Sequence, residues 1–310
     1  MQKNTNIFFL KNNEIDKQQW DDCVSRSPHG LIYARSFYLD SICPQWNALT
    51  GENYSWVFPI THRTKFGVSY LYQPPFTQQL GVFAKANVLV PFAEIIAWLK
   101  QHYNFWEINW NYVTDAGSII PPVHMTSATN YILHISAPYE STARNYHKDL
   151  IKNIKRSKRF GLHYESTIDY NKSIELFKKY YGSRLSNIKE ADYRSFSTIC
   201  TRALEKNALV CREAVSDNNE VMATALLLFD RKRLYNLMNT TTEAGRRAEA
   251  NHFLLDSIIK EFSRRDLLLD FEGSDLPGVK SFYANFGASN QPYYMIKYNQ
   301  LPFLIKSFKK

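Results

Sequence analysis

The sequence predicts an α/β (α+β) fold of two tandem units, each a mixed, mostly antiparallel sheet flanked by helices. Stretches of period-two alternation and stretches with apolar residues three and four apart interleave along the whole chain. At 310 residues, the chain exceeds the roughly 100–200 residues of a usual domain. A strand meander followed by a helix and another strand also occurs twice, over residues 55–111 and again over 208–271.

In the first half, polar spacing around Trp20 and Val24 predicts a helix over Asp16 to Ser25. Tyr33, Phe37, Leu39 and Ile42 share a face of a second helix, Ile32 to Ile42. The period then changes to two, which predicts strands over Ser55 to Thr64 and Val68 to Tyr72, joined by a turn at 64–67. A loop carrying Pro74 and Pro75 follows. Pro91 suits a helical first turn, and Ile95, Trp98, Leu99 and Tyr103 keep helical spacing, so a helix is expected over Pro91 to Tyr103. Phe105 to Asn111 alternates as a strand with Asn109 and Asn111 on one face, and Tyr131 to Ile135 reads as another. Ala137-Pro138-Tyr139 breaks the pattern. The expected units are therefore 1–138 and 139–310, with the last strand able to pack back on the first unit.

In the second half, Glu140 to Arg159 has helical spacing ending near Gly161, Leu162 to Ile168 reads as a strand, and helices follow at Ser173 to Tyr181 and Asp192 to Lys206. Three strands come next, Ala208 to Val215, Val221 to Asp230 and Arg233 to Thr240, joined by polar turns. A long helix over Glu249 to Arg265 feeds the strand Leu267 to Phe271. A short helix then runs from Gly278 to Gly287.

The 45% hydrophobic and 15% aromatic fractions support large cores and argue against disorder. The formal net charge of +9 makes an anionic partner reasonable, while an evenly basic surface explains it equally well. Cys23, Cys43, Cys200 and Cys211 lack metal-site spacing and read as small buried hydrophobes, so no metal is expected. No window approaches the ~18 unbroken apolar residues of a membrane span, so the expectation is a cytoplasmic protein with no span.

The C-terminal third carries the most specific pattern. A strand ends in Asp270-Phe271-Glu272-Gly273, and a helix then carries Gly278, Val279, Phe282, Phe286 and Gly287. This order resembles that of the Fem-type (FemAB-like) tandem acyltransferases of the GNAT superfamily, in their uncharacterised bacterial branch. The Ser27-Pro28-His29-Gly30 and Gln73 to Gly81 segments are similar to that branch as well, as is the basic helix Leu150 to Leu162. The resemblance implies tandem GNAT-like (acyl-CoA N-acyltransferase) units and transfer of an acyl or aminoacyl group to an amine. Where the family pattern has a lysine assigned to the reacting ester, this chain has Tyr283, which puts tRNA-dependent chemistry in doubt.

Candidate residues follow. Asp270 and Glu272, two apart on a strand, leave one face, and either can serve as a general base; ordering the glycine turn is the plainer role for Asp270. The Tyr283 hydroxyl can donate to a developing oxyanion, and Lys280 is placed to replace the missing charge. In acetyl-CoA-dependent relatives the segment Gly245, Arg246, Arg247, Ala248 and Ala250 corresponds to the loop that holds the donor's pyrophosphate. Here it is degenerate, with Glu249 opposing an anion. Lys155 and Arg156, with Lys148, Lys152 and Arg159, form a basic stripe suited to substrate phosphates or to simple solvation. No Gly-x-Ser-x-Gly elbow, phosphate-binding loop or His-Glu-x-x-His pair occurs. The expected activity uses an acyl-CoA or acetyl-CoA donor, with aminoacyl-tRNA as the other candidate, and an amine acceptor on a small molecule or peptide. The alternative is a binding module on a degenerate GNAT scaffold.

Overall fold

The computed structural model describes residues 6–65, 67–112, 123–273 and 275–302. Phe66 of the expected turn and Ser274 after the Asp270 strand lie outside them. The chain divides into two units, Met1–Ala128 with Pro292–Lys310, and Thr129–Gln291.

The first unit opens with β1 (Phe8–Leu10) and α1 (Lys17–Arg26). The Asp16 carboxylate caps α1 by accepting from the backbone N–H groups of Gln18 and Gln19. The second expected helix is split. Arg35 is extended, so a short turn over 32–34 precedes α2 (Ser36–Ile42). β2 (Asn47–Thr50) and β3 (Trp56–Ile60) follow. The expected strand Ser55 to Thr64 breaks at Thr61, where the chain leaves one sheet for another: β4 (His62–Lys65) pairs with β5 (Val68–Tyr72), and Thr61 Oγ1 donates to the Tyr72 carbonyl at 2.7 Å. β6 (Phe83–Ala84) closes a sheet of order β1-β2-β3-β6. α3 (Phe92–His102) buries Ile95, Ile96 and Leu99 and leads into β7 (Phe105–Trp110), which lies parallel to β5. The last strand before the second unit is β8 (His124–Ala128).

The second unit begins with β9 (Tyr131–His134), so the expected 138/139 boundary falls after a strand that pairs in this unit's sheet. The helix expected over 140–159 is two helices, α4 (Tyr139–Ala143) and α5 (Lys148–Ser157). His147 is extended between them, and its ring accepts from the Asp149 N–H. β10 (His163–Thr167), α6 (Tyr170–Tyr181) and α7 (Glu190–Glu205) precede the meander of β11 (Leu209–Val215), β12 (Val221–Phe229) and β13 (Arg233–Thr241). Then come α8 (Glu243–Arg247), α9 (Ala250–Phe262), β14 (Leu268–Asp270), α10 (Pro277–Ala284) and β15 (Ser289–Asn290). The sheet order is β10-β11-β12-β13-β14-β9-β15. Leu254, Leu255, Ile258 and Ile259 of α9 pack with Ala223, Ala225 and Leu227 of β12 and with Leu150 of α5 to make the core on one sheet face. At about 25 cal/mol per Å² of apolar surface removed from water, this packing, rather than helix propensity, holds α9.

The chain then returns to the first unit as β16 (Tyr293–Asn299), a last strand that the sequence left able to pack back on that unit but gave no bounds. It lies between β7 and β8, antiparallel to both, in the order β4-β5-β7-β16-β8. The two units thus repeat one plan. In each, a strand, a helix and a parallel strand (β5-α3-β7 and β13-α9-β14) are flanked by a strand from elsewhere in the chain, β16 in the first and β9 in the second.

Candidate functional site

β14 is paired on both sides, to β13 in parallel and to β9 in antiparallel, and Asp270 at its end is 1% exposed. Its Oδ2 accepts from Arg233 Nη1 at 2.6 Å and from Asn130 Nδ2 at 3.2 Å. Oδ1 accepts from the Glu272 N–H at 3.0 Å. That last bond is an Asx turn, and it puts Glu272 into the left-handed region at φ 56°. The strand therefore stops at Asp270. Strand alternation does not extend to Glu272, so the expectation that the two carboxylates leave one strand face does not hold in this geometry.

Gly273 follows because another backbone crosses there: a Cβ at this position would sit 1.6 Å from the Thr129 carbonyl oxygen. Gly273→Ala is expected to lower unfolding stability by about 1–3 kcal/mol through overpacking against an unyielding backbone. Urea unfolding of the variant checks it, and an unchanged midpoint would show that the crossing relaxes freely.

α10 brings Tyr283 to the same turn. Its ring stacks on Phe271 with centroids 4.8 Å apart and planes at 21°, and Phe271 and Phe286 behind it are fully buried. Burial, then the charges of Glu272, Tyr181 and Asp270, push the Tyr283 phenol above its usual value. The phenol keeps its proton at neutral pH and is a hydrogen-bond donor. Lys280 is not part of this grouping, since its ammonium pairs with Asp275 at 3.1 Å.

The neighbouring strand contributes what sequence reasoning missed. Opposite β12 the register of β13 passes from Leu226↔Met238 to Leu227↔Asn236, leaving Leu237 as the extra residue of a bulge. β14 pairs only with Arg233, Leu234 and Tyr235, so from Asn236 onward no strand covers that edge of β13 among the described residues. Asn236 lies opposite Leu227 and Asn239 opposite Ala225, which places both asparagines on the face where α9 packs. Asn236 is 3% exposed, and neither its Oδ1 nor its Nδ2 has a partner. Asn239 Nδ2 and, on the first turn of α9, Asn251 Oδ1 are also buried and unpartnered. An unmet buried amide group costs about 1–3 kcal/mol, so a native chain retains several together where something else completes them. The available signal was two asparagines among the apolar residues Leu234, Tyr235, Leu237 and Met238 of the strand.

The residues proposed for a cofactor gather at the α8–α9 turn. Gly245 is buried, and a Cβ there would meet the Met222 carbonyl at 1.9 Å, so close packing of α8 on β12 already accounts for the glycine. Thr242 Oγ1 accepts from the Gly245 N–H at 3.0 Å. Arg246 and Arg247 are exposed; Ala248 and Ala250 are buried in the core. Glu249, left-handed at φ 58°, sets its carboxylate at the start of α9, 3.1 Å from Arg156 Nη1 and 3.1 Å from His252 Nδ1. A carboxylate thus stands where a phosphate would need N–H groups and positive charge, and Arg156 is engaged with it. Burial lowers the His252 pKa, with Asn153 at 3.4 Å from its Nε2 and the Phe282 ring edge-on. Lys155 points from α5 into solvent. Asp270, Glu272 and Tyr283 are thus together, the 245–250 segment and Arg156 form a second grouping, and Lys280 joins neither.

No family model matches the sequence, and no curated protein matches it. Solved structures do. The crystal structure of FemX is similar at a TM-score of 0.67 and 11% identity, covering 98% of this chain and 99% of that one. A conserved protein of unknown function from Bacteroides thetaiotaomicron VPI-5482 reaches 0.61 at 10% identity, with 91% and 96% covered. The C-terminal domain (DUF2156) of a putative lysylphosphatidylglycerol synthetase from Agrobacterium fabrum reaches 0.57 at 13% identity, with 94% and 93% covered. Likeness over nearly whole chains at such low identity is a likeness of fold. The fold of this chain is accordingly like that of FemX, two units of mixed sheet flanked by helices.

Proposed function

We propose that the chain transfers an acyl or aminoacyl group from an activated donor to an amine. The observation that supports this best is the uncovered edge of β13, with the buried unpartnered amide of Asn236, next to the turn that carries Glu272 and on which Tyr283 of α10 packs. An extended donor arm can pair with an open strand edge through its amides.

In the proposed step the amine nitrogen attacks the donor carbonyl carbon and a C–N bond forms. Glu272 takes the proton the nitrogen loses, and the Tyr283 hydroxyl donates to the carbonyl oxygen as charge develops on it. The C–S bond of a thioester, or the C–O bond of an aminoacyl ester, then breaks, and the leaving sulfur or oxygen takes a proton. Asp270 is spent on Arg233, Asn130 and the turn, and is a positioning residue in this reading. An acyl-CoA donor fits better than aminoacyl-tRNA, because Tyr283 stands where relatives carry lysine and the nearby Lys280 is paired with Asp275. The acceptor is an amine on a small molecule or peptide, and the working compartment is the cytoplasm; among the described residues no helix is long and apolar enough to cross a membrane.

One observation favours a second reading. The Glu249 carboxylate at the start of α9 suits a scaffold that binds a ligand at the β13 edge without a nucleotide donor. Titration calorimetry with acetyl-CoA, longer acyl-CoAs and charged tRNA decides between the two. Saturable binding of one donor, weakened by Asn236→Leu, is the expected result; binding of none would remove the transferase reading.

A further inference from the structure

The first unit contains a cavity of about 240 Å³ that the transfer chemistry does not use. Its wall is apolar, from Val82, Val88, Val90 and Phe92. Its polar lining is Ser27, His29, Lys85, Asn87 and Asn111, with no carboxylate among the described lining residues. Two features of the sequence meet here, the Ser27-Pro28-His29-Gly30 segment and the asparagine at the end of the Phe105 to Asn111 strand.

The polar groups are held in place. After α1 the chain turns tightly: the Ser27 N–H donates to the Cys23 carbonyl at 2.9 Å, and the His29 N–H to Ser27 Oγ at 3.3 Å. The His29 ring is then set edge-on to Tyr112, with Nδ1 3.4 Å from the hydroxyl. Asn111 is 2% exposed, and its Nδ2 donates to the Val82 carbonyl at 2.7 Å. Lys85 Nζ stands 3.4 Å from Asp22 Oδ2, and the same Asp22 carboxylate takes Arg26 Nε at 2.8 Å. Two cations share one anion there, so the rim beside Lys85 carries net positive charge.

We propose that this cavity binds a small organic acid, its carboxylate at Lys85 and His29 and its apolar tail along Val82, Val90 and Phe92. The volume lies just below the ~300 Å³ at which drug-sized ligand pockets begin, which limits the occupant to roughly ten heavy atoms. An acidic group is selected by the net positive rim beside Lys85, and the tail by the apolar wall.

Titration calorimetry of the whole chain with hexanoate, hexanamide and inorganic phosphate tests this without any transferase assay, so its outcome stands apart from that of the donor titrations. Hexanoate is expected to bind saturably with a dissociation constant on the order of 1 mM, as its size allows, and hexanamide and phosphate about tenfold more weakly or worse. Lys85→Met is expected to reduce hexanoate binding to the level of hexanamide. Ala86→Trp, at an exposed position on the lining, is expected to abolish binding while leaving thermal unfolding unchanged. The proposal is overturned if hexanoate fails to bind, if hexanamide or phosphate binds as well as hexanoate, or if both variants bind hexanoate like the parent chain.

Discussion

Glu272→Gln is expected to lower kcat by about 10²–10⁴-fold while leaving donor affinity nearly unchanged. The change keeps the shape of the side chain and the left-handed backbone of the turn, which depends on the Asp270 carboxylate and the Glu272 N–H rather than on the Glu272 side chain. It removes only the capacity to take a proton. Tyr283→Phe is expected to cost about 10²–10³-fold, because the protonated phenol, whose pKa burial raises further, is the oxyanion donor in the proposed step. The double variant should lose less than the product of the two, since base and donor act on one intermediate. Steady-state kinetics with a donor that binds reads all three. A Glu272→Gln enzyme with unchanged kcat would remove Glu272 from the chemistry, and equal losses in kcat and donor affinity would mean that the turn had been disturbed.

Asp270→Ala is expected to lower the unfolding free energy by about 3–5 kcal/mol, because it leaves the Arg233 guanidinium buried without its counter-charge. The pair is 4% and 1% exposed by side chain, so water cannot take the place of the lost partner. The same variant also removes an acceptor of Asn130 Nδ2 and the Asx-turn acceptor of the Glu272 N–H. Replacing both members, Asp270→Leu with Arg233→Met, should recover much of the loss, since two apolar side chains leave no unpaired charge behind. Urea unfolding of the single and double variants gives the comparison. A loss below about 1 kcal/mol in Asp270→Ala would show that Arg233 finds other acceptors.

The tandem plan was legible where periodicity is long and local. The Ile95 to Leu99 and Leu254 to Phe262 patterns have one amphipathic solution each, and each leads directly into a strand. β8 was missed, and β16 was expected only as a last strand without bounds or neighbours, because their pairing partners are distant in sequence: Ile296 pairs with Ile108 and Met125, and neither relation leaves a short-range pattern. The break of the helix at His147 and the left-handed Glu249 come from tertiary contacts overriding helical spacing. At the candidate site, Asp270-Phe271-Glu272-Gly273 was readable as a strand-to-turn junction, and Tyr283 as a residue facing it. Arg233 was not, because its pairing with Asp270 spans 37 residues of sequence. Gly245 was readable as a point of close approach; the group that approaches is the Met222 carbonyl. Asn236 stood out in sequence only as a polar residue within a strand, and its place at an open edge came from the parallel pairing of β13 and β14, which ends one residue before it.

The placement of β16 sets the order of events during synthesis. Ile296 is fully buried in the sheet of the first unit, flanked by strands that left the ribosome well over a hundred residues earlier. Until residues 293–299 emerge, β7 and β8 have an unfilled gap between them, whereas Thr129–Gln291 already holds every strand of its own sheet. At about 5–20 residues per second, the nascent chain therefore holds an incomplete amino-terminal sheet for roughly 10–30 seconds, with a bare edge that a chaperone can shield or a second nascent chain can capture.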